Sequence, residues 1–503
     1  MSNVRITAEH HSESDSLSAW AGRTVQGVAW TYAALVGSRL VTFVSMMVLA
    51  RMLLPSAFGQ LGFALLVIAY LDALGDLGAG SALIYYQKRT TEAAQIAFRI
   101  NLITGVLWCF AVTALAPLAA DFFHDEIVIP LLRTLAWIFP ITSLGNTHDA
   151  ILRRNLSFGL RLVPDYARSL LKAACSVVLA WQGFGVWSLV WGQLAGAAVW
   201  SLTLWILIGW RPTFRAPMSL GPSMLRYGGH IVSINILSTL VHHLDLLVVG
   251  RILGSAALGF YTLASRIPDV CITMLIWAID IVAFPSYTKL QDDPAILRQA
   301  FRFTLRYIAV ITLPAGLGLI FCAGPAISIL YGERWMPAAS VVVGLSLAAV
   351  LRSLSSHAGN IFKAIGRPDL LTKIGVARAM VLMPALVYGA HYGIAGVALA
   401  QAAVTFASTL TTLILAARFL RIPPSACWNE LRPALIGSIG MGLILVITDF
   451  LMVGWPPVAI LLTAAVSGTI GYFGILYLGS PDMVRSISSG ISAVLGRSSR
   501  GIG

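Results

Sequence analysis

Apolar stretches of about twenty residues recur along nearly the whole chain, and each is long enough to cross the hydrocarbon core of a bilayer. Only 11% of the 503 residues are charged, whereas a soluble domain devotes about a quarter of its residues to charges. The connections between the apolar stretches are short. The sequence therefore predicts an all-α polytopic membrane protein, and it excludes the soluble domains that length alone would suggest.

We predict fourteen transmembrane helices from these stretches. Their ranges are 25–50, 58–84, 93–118, 128–151, 159–181, 185–209, 224–250, 256–286, 300–328, 337–362, 370–390, 393–417, 432–452 and 456–478. The predicted organisation is an N-terminal tail (1–24), an N-lobe of helices one to six (25–215), a C-lobe of helices seven to twelve (216–418), two added helices (419–480) and a C-terminal tail (481–503).

The positions of Lys and Arg predict the orientation of the chain. With the N-terminus placed in the cytoplasm, twenty-one basic residues of tails and loops lie inside and three lie outside, namely Arg51, Arg251 and Arg334. An excess of basic residues in short cytoplasmic loops is typical of membrane proteins. The net charge of +13 is thus a sign of topology, and no nucleic-acid partner is expected. Both termini are predicted to be cytoplasmic, and the polar N-terminal segment is not expected to be a cleavable signal peptide.

A segment near the N-terminus recurs about two hundred residues later. ARMLLPSAFGQLGFA (50–64) aligns without gaps with GRILGSAALGFYTLA (250–264). Six predicted helices separate the two copies. This even number gives both copies the same orientation in the membrane, so the repeat predicts two parallel six-helix lobes around a central cavity.

Ionisable residues lie at membrane depth in several predicted helices. Each costs about 2.5–3.5 kcal/mol at the centre of a span, so these side chains are expected to face one another or a wet cavity. Helical periodicity places them on single polar faces. The candidates for a substrate cavity are Arg39, Arg133, Arg168, Lys172, Asp245, Arg266 and Asp269.

Two interpretations of these charges stay open. Arg266 with Asp269, and Asp165 with Arg168, have the spacing of structural ion pairs on one helix. Lys172 and Arg39 have no acid at pairing distance on their own helix, which favours contact with the phosphate of a ligand.

Asp72, Asp76 and His242 are candidates for ion coupling. Two carboxylates at i,i+4 disfavour ionisation of both, so the Asp72–Asp76 pair is a candidate H⁺ or Na⁺ site, unless an Arg from another helix neutralises it. His242 titrates near neutrality in an ordinary setting. A metal site at His242-His243-x-Asp245 is not expected, because adjacent histidines diverge on a helix.

Nothing in the sequence predicts an enzyme. It contains no GxxxxGK[ST] loop and no HExxH motif. The five scattered cysteines form no CxxC pair, and no cofactor is expected beyond a coupling ion. Gly192 and Gly196, four residues apart, predict close packing between helices.

Several short motifs together resemble the Wzx-type polysaccharide exporters of the multidrug/oligosaccharidyl-lipid/polysaccharide superfamily, and the branch of the colanic-acid exporters in particular. They are AR-x-L-x-P-x-x-FG (50–59), LD-x-L-x-VGR-x-LG (244–254), LGFYTLASRIP (258–268), FPSYTKL (284–290) and LYGERW (330–335). Asp76, Asp245, Arg251 and Arg266 match charged positions of the family. His242 and His243 depart from it, because the family often has Arg-Asn there.

The resemblance implies a flippase of the bacterial inner membrane. Such a protein moves an undecaprenyl-pyrophosphate-linked oligosaccharide to the periplasmic leaflet by alternating access coupled to an ion gradient. The expected partners are this lipid-linked substrate, membrane lipid, and a polysaccharide polymerase or glycosyltransferases, and the chain is expected to be a monomer. A cation-coupled drug antiporter of the same superfamily and a flippase for lipid-linked peptidoglycan precursors are the alternatives.

Overall fold

The structure is a computed structural model that describes residues 37–75, 77–86, 89–155, 157–213, 220–479 and 481. The described residues contain helices, turns and loops, and no strand. They form two compact units, with the division between His243 and Leu244. The all-α membrane fold is thereby confirmed. The predicted limits of the lobes stay a prediction.

Unit 1 contains nine helices within the described residues. These are α1 (37–52), α2 (Pro55–Leu74), α3 (Ala79–Tyr85), α4 (Thr90–Phe123), α5 (Val128–Leu135), α6 (Ile138–Arg154), α7 (Phe158–Trp181), α8 (Val186–Leu207) and α9 (Gly221–His242).

Unit 2 contains nine α-helices, a π-helical turn and a 3₁₀ turn within the described residues. These are α10 (Leu244–Pro268), the π turn (Asp269–Thr273), α11 (Met274–Lys289), α12 (Pro294–Phe321), α13 (Ala323–Leu330), the 3₁₀ turn (Glu333–Ala338), α14 (Ala339–Ala364), α15 (Pro368–Ala390), α16 (Gly393–Phe419), α17 (Pro424–Leu451) and α18 (Pro457–Gly479).

Eleven spans of the described chain are long and apolar enough to cross a membrane. α7 and α9 are also long, with 24 and 22 residues. α7 is too polar to be one of the eleven because it contains Arg161, Asp165, Arg168 and Lys172. Each predicted span coincides with one or more described helices, although residues 25–36 of the first lie outside the described part. The number fourteen stays a prediction.

Large apolar side chains cover much of the outer surface of the helices. Phe450 is 78% exposed, Ile206 73% and Phe110 71%. A soluble protein rarely exposes so many large apolar side chains, whereas lipid solvates them. These exposures agree with a multi-pass membrane protein.

The two copies of the sequence repeat have similar backbones. In the first copy, α1 ends before Leu54, whose extended conformation (φ −79°, ψ 153°) precedes α2. In the second, Gly254 interrupts α10 with a φ of 83° and a ψ of −175°, so that two helices meet there. Gly254 aligns with Leu54 in the repeat, and a left-handed φ at this position favours glycine. A turn therefore separates two helices at the corresponding position of each copy.

Several predicted helices are interrupted or begin at other residues than predicted. The second is divided between α2 and α3 by a turn, in which Leu77 and Gly78 have φ values of 50° and 74°. The eighth contains the π turn that begins at Asp269. The ninth begins earlier than predicted, because Asp293 accepts hydrogen bonds from the backbone N–H groups of Ala295 and Ile296 and thus caps α12.

Helices α17 and α18 are part of the core of unit 2. Tyr472 of α18 is almost fully buried and donates a hydrogen bond to the backbone oxygen of Val310 on α12 at 2.9 Å. Gly437 of α17 lies against the ring of Tyr472. The absence of a side chain at position 437 therefore lets α18 approach α17 closely.

Candidate functional site

Asp149 of α6 forms an ion pair with the first charged residue of α7. Its carboxylate oxygen Oδ1 accepts a hydrogen bond from Nε of Arg161 at 2.7 Å, and Oδ2 lies 2.7 Å from Nη2 of Arg153. The side chain of Asp149 is only 6% exposed. A buried carboxylate between two guanidinium groups is a structural ion pair, so Arg161 joins α7 to α6.

Asp165 lies one turn further along α7 and contacts α8. Its Oδ1 accepts a hydrogen bond from Nε1 of Trp200 at 3.2 Å. It also interacts electrostatically with Arg161 and Arg168. Arg168 is therefore one of two cations near Asp165, and the direct hydrogen bond orients this carboxylate toward α8.

Arg168 and Lys172 lie where the backbone of α8 comes closest to α7. A methyl group at position 196 would lie 3.0 Å from Cβ of Lys172 and 3.1 Å from the carbonyl oxygen of Arg168. One at position 192 would overlap the hydroxyl of Ser176. The predicted close packing at the two glycines is therefore confirmed. Both basic residues are half-buried, and their spacing puts them about 40° apart on one face of α7.

Two other candidate cations of unit 1 lie on other helices. Arg39 of α1 is exposed. Arg133 of α5 is exposed too, in a groove of about 930 Å³ that is otherwise lined by Thr134 and by apolar residues of α6, α7, α8 and the connections before α6 and α8. The residues that line this groove do not include Arg168 or Lys172. The structure thus puts Arg168 and Lys172 on one face of α7, whereas Arg133 lines a groove to which neither of them contributes.

Asp245 is the centre of a charged cluster in unit 2. Its Oδ2 accepts a hydrogen bond from the buried hydroxyl of Tyr261 at 3.1 Å, and its Oδ1 accepts one from the backbone N–H of Leu246 at 2.8 Å. Arg378 of α15 interacts electrostatically with both Asp245 and Arg352 of α14. We call Asp245, Tyr261, Arg352 and Arg378 the Asp245 cluster. Two guanidinium groups and one carboxylate give it a formal charge of +1.

One donor of the Asp245 cluster is not used within the described protein. Nε of Arg378 is buried and has no hydrogen-bond partner among the described residues. A buried donor without a partner is costly, and a ligand oxygen is one way to satisfy it. The excess positive charge and the free donor both suit an anionic group.

Arg352 and Arg378 were missed as site residues, although a signal for them exists in the sequence. Neither has an acid within four residues on its own helix, which is the criterion that selected Lys172 and Arg39. Applied to every span, the same criterion would have selected them. Their proximity to Asp245, more than one hundred residues away, is visible only in the structure.

Asp280 forms a second polar cluster on α11 and α14. Its carboxylate accepts hydrogen bonds from the hydroxyl of Ser356 and from Nδ2 of Asn360, the latter at 2.8 Å. Lys363, one turn further along α14, interacts with it electrostatically. This polar network lies in unit 2, as the Asp245 cluster does.

Arg266 and Asp269 lie at the junction of α10 and the π turn. Arg266 is exposed and interacts electrostatically with Tyr331. Asp269 begins the π turn and accepts a hydrogen bond from the hydroxyl of Thr273 at 3.5 Å. Single π turns inside helices are frequent at functional sites. Each residue thus has a contact other than the predicted pairing.

The candidates for ion coupling are either exposed or outside the described residues. Asp72 is exposed near the end of α2, and Asp76 lies outside the described residues. His242 is exposed at the end of α9, with its ring edge-on to that of His243 at 4.9 Å between centroids. Among the described residues, no group of three His, Cys, Asp or Glu side chains could hold a metal ion.

Comparisons with known proteins agree with these features. The profile of a family of polysaccharide biosynthesis proteins matches residues 48–340. The lipopolysaccharide biosynthesis protein WzxC of Escherichia coli (strain K12) is 29% identical over 77% of this chain and 80% of its own length. The succinoglycan biosynthesis transport protein ExoT of Rhizobium meliloti (strain 1021) is 26% identical over 74% of this chain and 76% of its own length.

The fold is similar to that of a solved lipid II flippase, MurJ, in an inward closed conformation. The TM-score is 0.73, and the match covers 90% of this chain and 99% of the flippase at 15% sequence identity. At this identity the likeness concerns the fold. It supports the helical architecture described above.

Proposed function

This chain belongs to the family of polysaccharide biosynthesis proteins, and we propose that it is a flippase for an undecaprenyl-pyrophosphate-linked oligosaccharide. Its spans make it a multi-pass membrane protein, and its relatives are transport and biosynthesis proteins for polysaccharides. The protein moves its substrate from the cytoplasmic to the periplasmic leaflet for surface polysaccharide biosynthesis. It makes and breaks no covalent bond.

The observation that supports this proposal most directly is the excess of positive charge inside apolar helices. Arg352 and Arg378 lie in a cluster with one carboxylate, and Nε of Arg378 has no partner among the described residues. Arg168 and Lys172 share one face of α7. A carrier of cationic drugs would need the opposite sign of charge, because acids bind cations. A pyrophosphate needs cations, and guanidinium groups bind its oxygens in pairs.

The chemistry of the substrate assigns different tasks to different side chains. The pyrophosphate is the only strongly charged part, so its candidate binding groups are the cations of α7 in unit 1 and, separately, those of the Asp245 cluster in unit 2. Sugar hydroxyls require uncharged donors and acceptors, which Ser356 and Asn360 beside Asp280 supply. The polyprenyl tail needs no polar partner and stays in the bilayer.

Further parts of the proposal follow from the sequence. The excess of basic loops places both termini in the cytoplasm. Transport by alternating access is coupled to H⁺ or Na⁺, with Asp72, Asp76 and His242 as candidate coupling groups. The chain acts as a monomer, receives its substrate from glycosyltransferases and delivers it to a polymerase.

An export assay tests the proposed substrate chemistry. Lys172→Gln and Arg378→Gln are expressed in a strain that lacks the chromosomal copy, and polymer at the cell surface is measured together with the amount of protein in the membrane. We expect export to fall at least about tenfold for each variant, because one charge-assisted contact to phosphate contributes about 1.5–3 kcal/mol.

Arg334→Gln is the matched control, because Arg334 is exposed in the 3₁₀ turn. It removes the same charge outside the proposed site, and export should stay at the level of the unmodified protein. Full export by both Lys172→Gln and Arg378→Gln, at normal protein levels, would refute the assignment of these cations to the substrate.

A further inference from the structure

A strongly basic pocket lies in unit 2, away from the clusters described above. It has a volume of about 610 Å³ and lies between the beginning of α12 and the segment that leads from α16 into α17. Arg298, Arg302 and Arg306 follow one another at intervals of four residues on α12, and Arg421 completes the set. Among the described residues of the lining, Glu430 is the only acid, and together they have a formal charge of +3.

Glu430 positions two of these arginines. Its side chain is 3% exposed, and its Oε1 lies 2.6 Å from Nη2 and 2.9 Å from Nε of Arg302. Its Oε2 lies 2.5 Å from both Nη2 and Nε of Arg306. Each guanidinium thus uses one edge for Glu430. The contacts between described residues do not involve the Nη1 group of either arginine, so these donors suit another acceptor. The side chains of Arg302 and Arg306 are 43% and 39% exposed.

Arg421 has a backbone conformation that is unusual for its residue type. Its φ is 53°, in the left-handed region that glycine adopts freely at the end of a helix. The turn is fixed by a hydrogen bond of 2.8 Å from the backbone N–H of Ile422 to the carbonyl oxygen of Ala417. Glycine would relax this turn. A strained residue whose side chain lines a pocket is more typical of a binding site than of a purely structural turn.

The wall of the pocket is apolar where it is not basic. Phe303 lies beside the arginines and is 56% exposed, and Pro423 and Ala426 form the opposite side. Both α12 and α17 begin here, so the pocket lies at one face of the membrane, which the distribution of basic loops assigns to the cytoplasm. A pocket that combines these arginines with apolar residues at the membrane surface suits a phosphate that is joined to an acyl chain.

We propose that this pocket binds the phosphodiester headgroup of an anionic phospholipid from the cytoplasmic leaflet. The phosphate lies among Arg298, Arg302, Arg306 and Arg421, and an acyl chain follows the exposed ring of Phe303. The bound lipid joins α12 to α17. Transport of the substrate is a separate activity, so the site does not depend on the proposed function.

The test measures lipid binding to the purified full chain in detergent, by native mass spectrometry with phosphatidylglycerol or phosphatidylcholine. We expect a preference for phosphatidylglycerol that falls by about fivefold in Arg298→Gln and in Arg421→Gly, because each basic residue near an anionic headgroup contributes a factor of this size. Arg421→Gly relaxes the backbone, so its unfolding temperature without lipid should equal or exceed that of the unmodified protein.

Arg418→Gln is the matched control. Arg418 is exposed at the end of α16, three residues before Arg421, and it is not one of the residues that line the pocket. Its lipid preference should be unchanged. An equal loss in Arg418→Gln, or no loss in Arg298→Gln and Arg421→Gly, would overturn the proposal.

Two further measurements distinguish this lipid site from a site for free phosphate and from the substrate site. Inorganic phosphate at millimolar concentration should not displace phosphatidylglycerol, and full displacement would show that the pocket takes free phosphate instead. Lys172→Gln and Arg378→Gln should keep the lipid preference while export fails. A protein that exports normally but shows no lipid preference would overturn the lipid site and leave the proposed function intact.

Discussion

Replacing Asp149 by Asn should destabilise the protein by about 2–4 kcal/mol. The buried carboxylate has two ion pairs of 2.7 Å, to Arg153 and Arg161, and the second is also a hydrogen bond. A hydrogen bond to a charged group contributes about 1.5–3 kcal/mol. The two arginine side chains are 42% and 37% exposed. Because solvent screens exposed charges, we reduce the expected contribution to about 1–2 kcal/mol for each ion pair.

The exposed carboxylate of Asp369 provides the matched control. It also has two cations, Arg367 at 3.1 Å and Lys373 at 3.5 Å, but its side chain is 44% exposed. Exposed ion pairs contribute about 0–1 kcal/mol. Asp369→Asn therefore removes the same charge from the same kind of triad with little expected effect.

The assay is thermal unfolding of both variants in the same detergent at one scan rate, since membrane proteins of this size often unfold irreversibly. Asp149→Asn should lower the apparent midpoint clearly, and Asp369→Asn should leave it almost unchanged. The double variant Asp149→Asn/Arg161→Gln should lose less than the sum of the single variants, because the two residues share one ion pair. Equal shifts for the two Asp→Asn variants would refute the argument from burial.

Three further predictions concern packing and topology. Gly196→Ala should destabilise the protein by about 1–3 kcal/mol, because the added methyl group meets α7. Gly474 has open space around it, so Gly474→Ala should not destabilise the protein. Thermal unfolding of the two variants compares these effects. Trp200→Phe should cost about 1 kcal/mol in the same assay, because Asp165 loses a donor; an unchanged midpoint would contradict this. In a cysteine-free background, Arg334→Cys should react with an impermeant maleimide added to intact spheroplasts and Arg418→Cys should not, and the reverse pattern would invert the proposed orientation.

The sequence allowed the fold to be predicted because its main signals are local. Each apolar stretch, each copy of the repeat around Leu54 or Gly254, and the glycine pair of α8 can be recognised from residues that are close in sequence. Interruptions inside spans were harder to predict. The π turn at Asp269 and the turn at Gly78 interrupt segments whose apolar pattern continues through them.

The partners of the charged residues could not be predicted from the sequence. Glu430 contacts Arg302 across 128 residues, and Tyr261 contacts Asp245 across 16. Spacing along one helix reveals only pairs at i,i+3 and i,i+4. Which cation forms a direct ion pair, as Arg161 does, and which keeps a donor without a partner among the described residues, as Arg378 does, depends on how distant helices pack.

The central claim is that this chain moves a lipid-linked pyrophosphate oligosaccharide across a bilayer. The most direct measurement reconstitutes the purified chain in liposomes and follows the accessibility of such a substrate to a glycosidase added outside. Substrate should exchange between leaflets with the unmodified protein and with Arg334→Gln, and only slowly with Lys172→Gln or Arg378→Gln. Exchange at the same rate in liposomes without protein, or with all three variants, would contradict the account.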